Sequence, residues 1–298
     1  MQYSFNTEKY NEIRNLVSDE LYSIENNITD FYCGSDNLQE ELSGLLKSKS
    51  KRIRPLLAML YLKMYGCEIT PVQIDIQSAV ELIHNATLIH DDVIDNSSKR
   101  RNRETLHTKF DNSLAIVSGD FLLAAAIKKL LNADSLEIFK LFQKAIKNMC
   151  IGEVNQYFNK FKIPDFDEYI NKCKYKTAEL FMASLVSSAM VAGIDINSAK
   201  DFAKRFGITF QIRDDLLNII ENNPDKPTNN DIRDGIYTAP VIFAKGTENL
   251  DYGIEKTKEL LDNYVSRVQK CLNKAPDNKY KQALISLAEL LKIWKKTT

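Results

Sequence analysis

Three carboxylates stand within five residues at 91–95: Asp91, Asp92 and Asp95. On a helix Asp91 and Asp95 are i and i+4 and project from one face, about 6 Å apart along the axis. Like charges at that spacing repel, Asp is a poor helix former, and a buried carboxylate is costly unless paired or metal-bound. A positive partner is therefore required. Two or three carboxylate oxygens suit Mg²⁺, which keeps several waters and takes its remaining oxygens from phosphates. Five residues further on, Arg100 and Arg101 offer a phosphate clamp. Together these are the parts of a Mg-diphosphate site. Acids followed by bases are also the pattern of a solvated helix end, and this segment alone leaves both readings open.

A second acidic cluster weighs the balance. The apolar segment 198–220 also ends in adjacent carboxylates, Asp214 and Asp215, with Asn218 four residues after Asp214. Two apolar helices that each end in acids are far less expected by chance than one, which favours the metal reading. The run Lys51-Arg52-Ile53-Arg54-Pro55 adds a basic loop just before a helix that Pro55 can open, where backbone N–H groups favour anions. Lys176-Thr177 is a polar pair at the head of an apolar run. By themselves Lys176 reads as a surface lysine, His84 as a core residue and the basic run as a solvated loop.

The elements that must carry these residues are helical. Apolar spacing predicts helices over 6–31, 38–47, 56–65, the buried segment around 78–95, 114–131, 135–160, 166–192 (closed by Gly193) and 198–220. An Asn-, Asp- and Pro-rich loop carrying Lys226 follows at 221–236, with helix again from Tyr237 and from Tyr280. Ten glycines, seven prolines and the lack of alternating strand runs favour an all-α protein. At 298 residues with 44% hydrophobic content, and with no linker or repeat, a single domain of about a dozen helices is the economical reading.

Forty acidic and forty basic residues cancel, so no global field draws nucleic acid or an anionic membrane. The five cysteines are scattered without a CxxC pair, as reduced thiols in a cytosolic protein are. No leader-like start and no apolar run near 18 residues appear, so a soluble cytoplasmic protein is expected.

Ordered blocks now coincide with a family. KRIRP at 51–55, HDDVIDNSSKRR at 90–101, SGDFLLA at 118–124, GEVNQ at 152–156, KTAELF at 176–181, FQIRDDLLN at 210–218 and KPTNNDIRDGIYTAPV at 226–241 resemble, in order, the motifs of the trans-type polyprenyl diphosphate synthases. The resemblance covers nearly the whole chain. It implies antiparallel helices around a deep central cavity, a homodimer or a heteromer with a small partner subunit, and two aspartate motifs facing across the cavity mouth. It implies Mg²⁺, three ions with substrate bound, held by Asp91, Asp95 and Asp214, with Asp92 and Asp215 ligating or orienting water. Arg100, Lys176 and Lys226, with Thr177 and Gln211, would complete the allylic diphosphate site. Lys51, Arg54, His84 and Arg101 would hold isopentenyl diphosphate.

That chemistry suits the residue types. Ionising an allylic C–O bond leaves a charged diphosphate and an allylic cation, so metals and fixed cations must stabilise the leaving group while water is excluded. Departures from the family pattern are Lys49-Ser50 for a Gly-Gly pair, Asn102 and Glu104 for Gly and Pro, Asn218 for an acid, and Ile236 where many members carry a lysine for the allylic diphosphate. Short-chain members often place bulky aromatics one turn below the first motif; here Ala86 and Thr87 leave that path open. The expectation is a product above C20, as for a quinone side chain. Its rivals are a C15 or C20 synthase, a class I terpene cyclase, and a subunit of a heteromeric synthase that is inactive or regulatory on its own.

Overall fold

The computed structural model describes residues 6–48, 50–101, 103–220 and 230–292. Fifteen α-helices lie among them. The segment expected as one helix over 6–31 is two, α1 (Thr7–Asn15) and α2 (Ser18–Asn27). Val17 leaves the helical region at the junction, and Arg14 bridges to Glu25 across the bend at 2.6 Å. The break lets Tyr10 and Ile13 of one piece and Leu21 and Ile24 of the other reach the same core. Helices α3 (Asp36–Lys47) and α4 (Ile53–Met64) follow.

Helix α5 (Pro71–Ile94) begins seven residues before the segment whose apolar spacing announced it. Thr70 and Gln73 form a reciprocal capping box and Pro71 occupies the first turn, both ordinary start signals. Past its end a two-residue antiparallel ribbon, β1 (Lys99–Arg100) and β2 (Arg103–Glu104), pairs Lys99 with Glu104 and Arg100 with Arg103. No strand was expected there. Then come α6 (Leu106–Lys109), α7 (Asn112–Leu131), α8 (Leu136–Phe158) and α9 (Phe166–Cys173). A π-helical turn at Lys174–Ala178 joins α9 to α10 (Glu179–Ala192), which Gly193 ends in a left-handed conformation. The chain closes with α11 (Ile196–Ile220), α12 (Asn230–Arg233), α13 (Ala239–Ala244), α14 (Leu250–Cys271) and α15 (Lys279–Glu289).

Helix α10 is apolar around most of its circumference because it is central, packing on α4, α5, α8 and α11. Tyr61, Phe181, Phe202 and Phe206 are almost completely buried and form a ring-to-ring chain, with centroids 5.5 Å apart for Tyr61 and Phe202 and 5.6 Å for Phe181 and Phe206. Each such side chain contributes about 1.5–3 kcal/mol of hydrophobic burial. The α5–α10 register is pinned by polar contacts inside this core. Gln77 donates to the Ser184 carbonyl (3.1 Å) and the Ser188 hydroxyl (2.8 Å) and accepts from the Ser184 hydroxyl (2.8 Å). Every partner in that cluster is satisfied, so it specifies position without leaving an unmet group. Among the described residues no helix is long and apolar enough to cross a membrane.

Candidate functional site

The first acidic cluster closes α5. Asp91 is half-buried, Asp92 is buried and Asp95 caps the helix, its N–H donating to the Asp91 carbonyl at 2.8 Å. A helix C-terminus repels negative charge, so acids gathered there need outside cations. The β-ribbon supplies one: Arg100 Nε donates to Asp92 Oδ1 at 2.7 Å. Burial pushes the Asp91 carboxyl up to about 6, with Glu153 and Asp95 adding to the rise and Lys176 and Arg100 opposing it. Asp92 is likewise raised by burial and held back by Arg100.

The opposing cation comes from the π-helical turn. Two glycines let neighbouring helices close on that turn. A Cβ at Gly207 of α11 would lie 2.6 Å from the Ala178 Cα, and one at Gly152 of α8 would meet the Tyr175 Cβ at 3.2 Å. The approach of α8 sets Glu153 against Lys176, 2.7 Å apart. Burial alone would lower the Lys176 ammonium, but Glu153, Asp91 and Asp95 outweigh it and hold it above its ordinary value. The approach of α11 brings Gln211 to Thr177, whose hydroxyl donates to Gln211 Oε1.

The second cluster closes α11. Asp215 is buried and held on both oxygens, by Gln211 Nε2 at 2.7 Å and the Tyr169 hydroxyl at 2.8 Å. Its carboxyl is raised by burial and opposed by Lys172, its two hydrogen bonds and Lys176. Asp214 is more open and lies 3.8 Å from Arg213. Lys176 thus lies within electrostatic reach of Asp91 and Asp95 on one helix and of Asp215 on another.

A basic cluster flanks α5 two turns deeper. Arg54 is buried, with its guanidinium 4.8 Å from the centre of the Phe181 ring and its Nε without a hydrogen-bond partner. Arg101, in a left-handed conformation, donates to the Ser48 hydroxyl at 3.2 Å. Burial and the charges of Arg54, Arg101, Arg100 and Arg52 hold the His84 imidazole neutral, far below its usual value. Lys51 is exposed at the head of this cluster. Its neighbour Arg52, φ 48°, is buried and bridges Glu81 at 2.7 Å while also donating to the Leu46 carbonyl. Such convergence of cations around an uncharged ring suits an anion.

The sequence model of the family described as Polyprenyl synthetase matches residues 35–277. The chain belongs to this family. As a polyprenyl synthetase family member it is a prenyltransferase. It is 32% identical over 264 residues to "Solanesyl-diphosphate synthase 2, chloroplastic" of Oryza sativa subsp. japonica, covering 84% of this chain and 64% of that one. It is 34% identical over 251 residues to "Short chain isoprenyl diphosphate synthase" of Methanocaldococcus jannaschii, covering 81% and 75%. The crystal structure of heptaprenyl diphosphate synthase from Staphylococcus aureus superposes with a TM-score of 0.86 at 26% identity, covering 92% of this chain and 97% of that one.

Within this polyprenyl synthetase fold, most residues singled out by sequence gather at the ends of α5 and α11, the π-helical turn and the ribbon. Ala86 is fully buried below the first motif, and Thr87, half-buried, donates to the His84 carbonyl at 2.8 Å. Lys226 lies outside the described residues. Sequence reasoning missed Glu153, Tyr169, Arg52 and Glu81. The GEVNQ block contained Glu153, but nothing local to 169 or 81 announces a partner 46 or 29 residues away.

Among the described residues no three His, Cys, Asp or Glu side chains form a metal cage of their own. A divalent ion here would need further oxygens, as Mg²⁺ takes from phosphates. The donor set fits one: carboxylates crowd two helix ends, and Asn218 Oδ1, one turn past Asp214, is buried with no hydrogen-bond partner.

Proposed function

We propose that this chain condenses an allylic diphosphate with isopentenyl diphosphate, head to tail, and makes a polyprenyl diphosphate above C20. The observation that carries the reading is the placement of Lys176 within electrostatic reach of both acidic clusters, with the arginines that flank α5 gathered around His84 two turns deeper. Asp91, Asp95 and Asp214 would hold Mg²⁺, three ions in the loaded state. When bound, Mg²⁺ neutralises the diphosphate charge that grows as the allylic C–O bond breaks.

The chain's own residues do the rest. Lys176 and Arg100 fix positive charge beside the departing diphosphate. Thr177, Gln211 and Tyr169 hold Asp215 in one orientation. Lys51, Arg54 and Arg101 bind the isopentenyl diphosphate, and neutral His84 donates or accepts a hydrogen bond without adding charge. No side-chain base is required, because the released diphosphate can accept the final proton. Ala86 and Thr87 present small side chains below the first motif, which supports a long product, as do the relatives named for long chains. Lys226 is assigned to the allylic site on sequence alone.

Phe202 and Phe206 of α11 belong to the main core, and Ile208, Ile212 and Leu216 of the same helix to a second cluster, which supports a single domain. Exposed Ile116, Val117, Ile127 and Leu131 on α7, with Leu136 and Val154 on α8, support a homodimer through those helices. Five free thiols support a cytoplasmic location.

The test is incubation of purified protein with labelled isopentenyl diphosphate, farnesyl diphosphate and Mg²⁺, followed by chain-length analysis of the dephosphorylated products. A ladder ending at one long species is expected. Arrest at C15 or C20 refutes the long product, and activity only after addition of a second protein marks a heteromeric subunit.

A further inference from the structure

Three lysines follow one another at alternate positions along the end of α9 and the π-helical turn: Lys172, Lys174 and Lys176. Lys174 lies 3.7 Å from Glu179 and Lys176 lies 2.7 Å from Glu153. Lys172 makes neither an ion pair nor a hydrogen bond among the described residues. Its side chain instead lines a cavity of about 560 Å³ between α8, α9 and the segment 235–237, together with Gln156, Tyr169 and Ile236. Tyr169, one turn before it, bonds Asp215 from the same wall. Lys172 thus shares a cavity wall with the residue that fixes Asp215 of the second acidic cluster.

An unpaired, half-buried ammonium that opens into a cavity whose wall also carries the Tyr169–Asp215 bond leaves room for an anionic party. Ile236 lines the same cavity and offers no charge.

We propose that Lys172 is a binding cation for the diphosphate of the allylic substrate, supplying from α9 the positive charge that Ile236 does not supply across the cavity. The inference rests on the prenyltransferase reading above and deepens it. It concerns affinity for one of two substrates. Lys172 contacts the diphosphate and not the isopentenyl group, so its removal acts on one Michaelis constant.

The test uses the full-length protein and the variants Lys172→Gln, Lys172→Arg and Lys172→Gln with Ile236→Lys. Calorimetric titration with inorganic diphosphate in the presence of Mg²⁺ is run beside steady-state kinetics in both substrates. Lys172→Gln is expected to weaken diphosphate binding and raise the allylic KM about tenfold, as loss of one charge-assisted hydrogen bond does, with the isopentenyl KM unchanged. Lys172→Arg should stay within about threefold of the parent, and Ile236→Lys should recover most of the loss. Unchanged binding in Lys172→Gln, an equal rise in both KM values, or a fall in kcat alone overturns the proposal. If the parent binds diphosphate yet makes no prenyl product, the catalytic reading fails while the titration still decides the role of Lys172. A parent that binds no diphosphate refutes that role.

Discussion

The Tyr169 hydroxyl donates to Asp215 Oδ2 at 2.8 Å, with both side chains buried and 46 residues apart in sequence. The Gln211 amide holds the other oxygen at 2.7 Å. Asp215 therefore has one orientation before any ligand arrives, and Asp214, its more open neighbour, is the acid left to reach outward.

Replacing Tyr169 by Phe leaves Asp215 Oδ2 buried without its donor. A loss of about 1–3 kcal/mol is expected, read as a lower denaturant midpoint at unchanged slope. The same variant should need more Mg²⁺ for half-maximal activity. An unchanged midpoint would show that water replaces the hydroxyl.

The Asp91 carboxyl titrates near 6 in the folded protein and near 3.9 when unfolded. The folded state thus holds the proton more tightly between these values, so stability without metal falls as pH rises from about 4 to about 6. A two-unit shift corresponds to about 2–3 kcal/mol. Metal and proton compete for the same oxygens, so Mg²⁺ affinity should climb over that interval and level off above it. Asp91→Asn should flatten both profiles and abolish most activity. A metal-free stability curve as steep in the variant as in the parent would assign the effect to another group.

Gly207→Ala places a methyl 2.6 Å from the Ala178 backbone, where neither helix can yield cheaply. The expected cost is about 1–3 kcal/mol, a fall of several degrees in Tm. Because the shift also separates Gln211 from Thr177, kcat should drop more than a general loss of stability explains at temperatures well below Tm. Equal kcat at such temperatures would show that the contact serves stability alone.

Arg52 and Glu81 form a buried pair at 2.7 Å. Arg52→Met strands buried Glu81 and should cost about 3–5 kcal/mol, Glu81→Gln leaves Arg52 with Glu25 at 3.7 Å and should cost less, and the double variant should cost less than their sum. A double-mutant cycle in urea measures the coupling. Additive losses would mean that the two side chains act independently.

Much of this protein could be read from short stretches of sequence. The acids at 91, 92 and 95 and at 214 and 215 declare a need for positive partners because carboxylates within one helix turn stay close whatever surrounds them. The apolar spacing that marked α7, α8 and α11 is similarly local. The start of α5 was legible too, in the Thr70, Pro71 and Gln73 signals, although apolar spacing alone placed it at Ser78. Failures came where packing overrides pattern. One amphipathic run over 6–31 bends at Val17 because both halves bury into the same core, and a ribbon pairs Lys99–Arg100 with Arg103–Glu104, from which Arg100 turns back to Asp92.

Only the tertiary structure decided which charges meet. Lys176 looks like any surface lysine in sequence, and becomes the cation between two acidic helix ends because Gly152 and Gly207 let α8 and α11 close on a π-helical turn. Arg52, the basic residue between two expected anion ligands, is instead held by Glu81 from 29 residues away. The sequence by itself determined the residue types and their spacing along each helix, since these depend on bonds and turns between near neighbours. Which helices approach, how closely, and so which of forty cations faces which of forty anions, was decided by packing, because charge interactions depend on distance in space rather than along the chain.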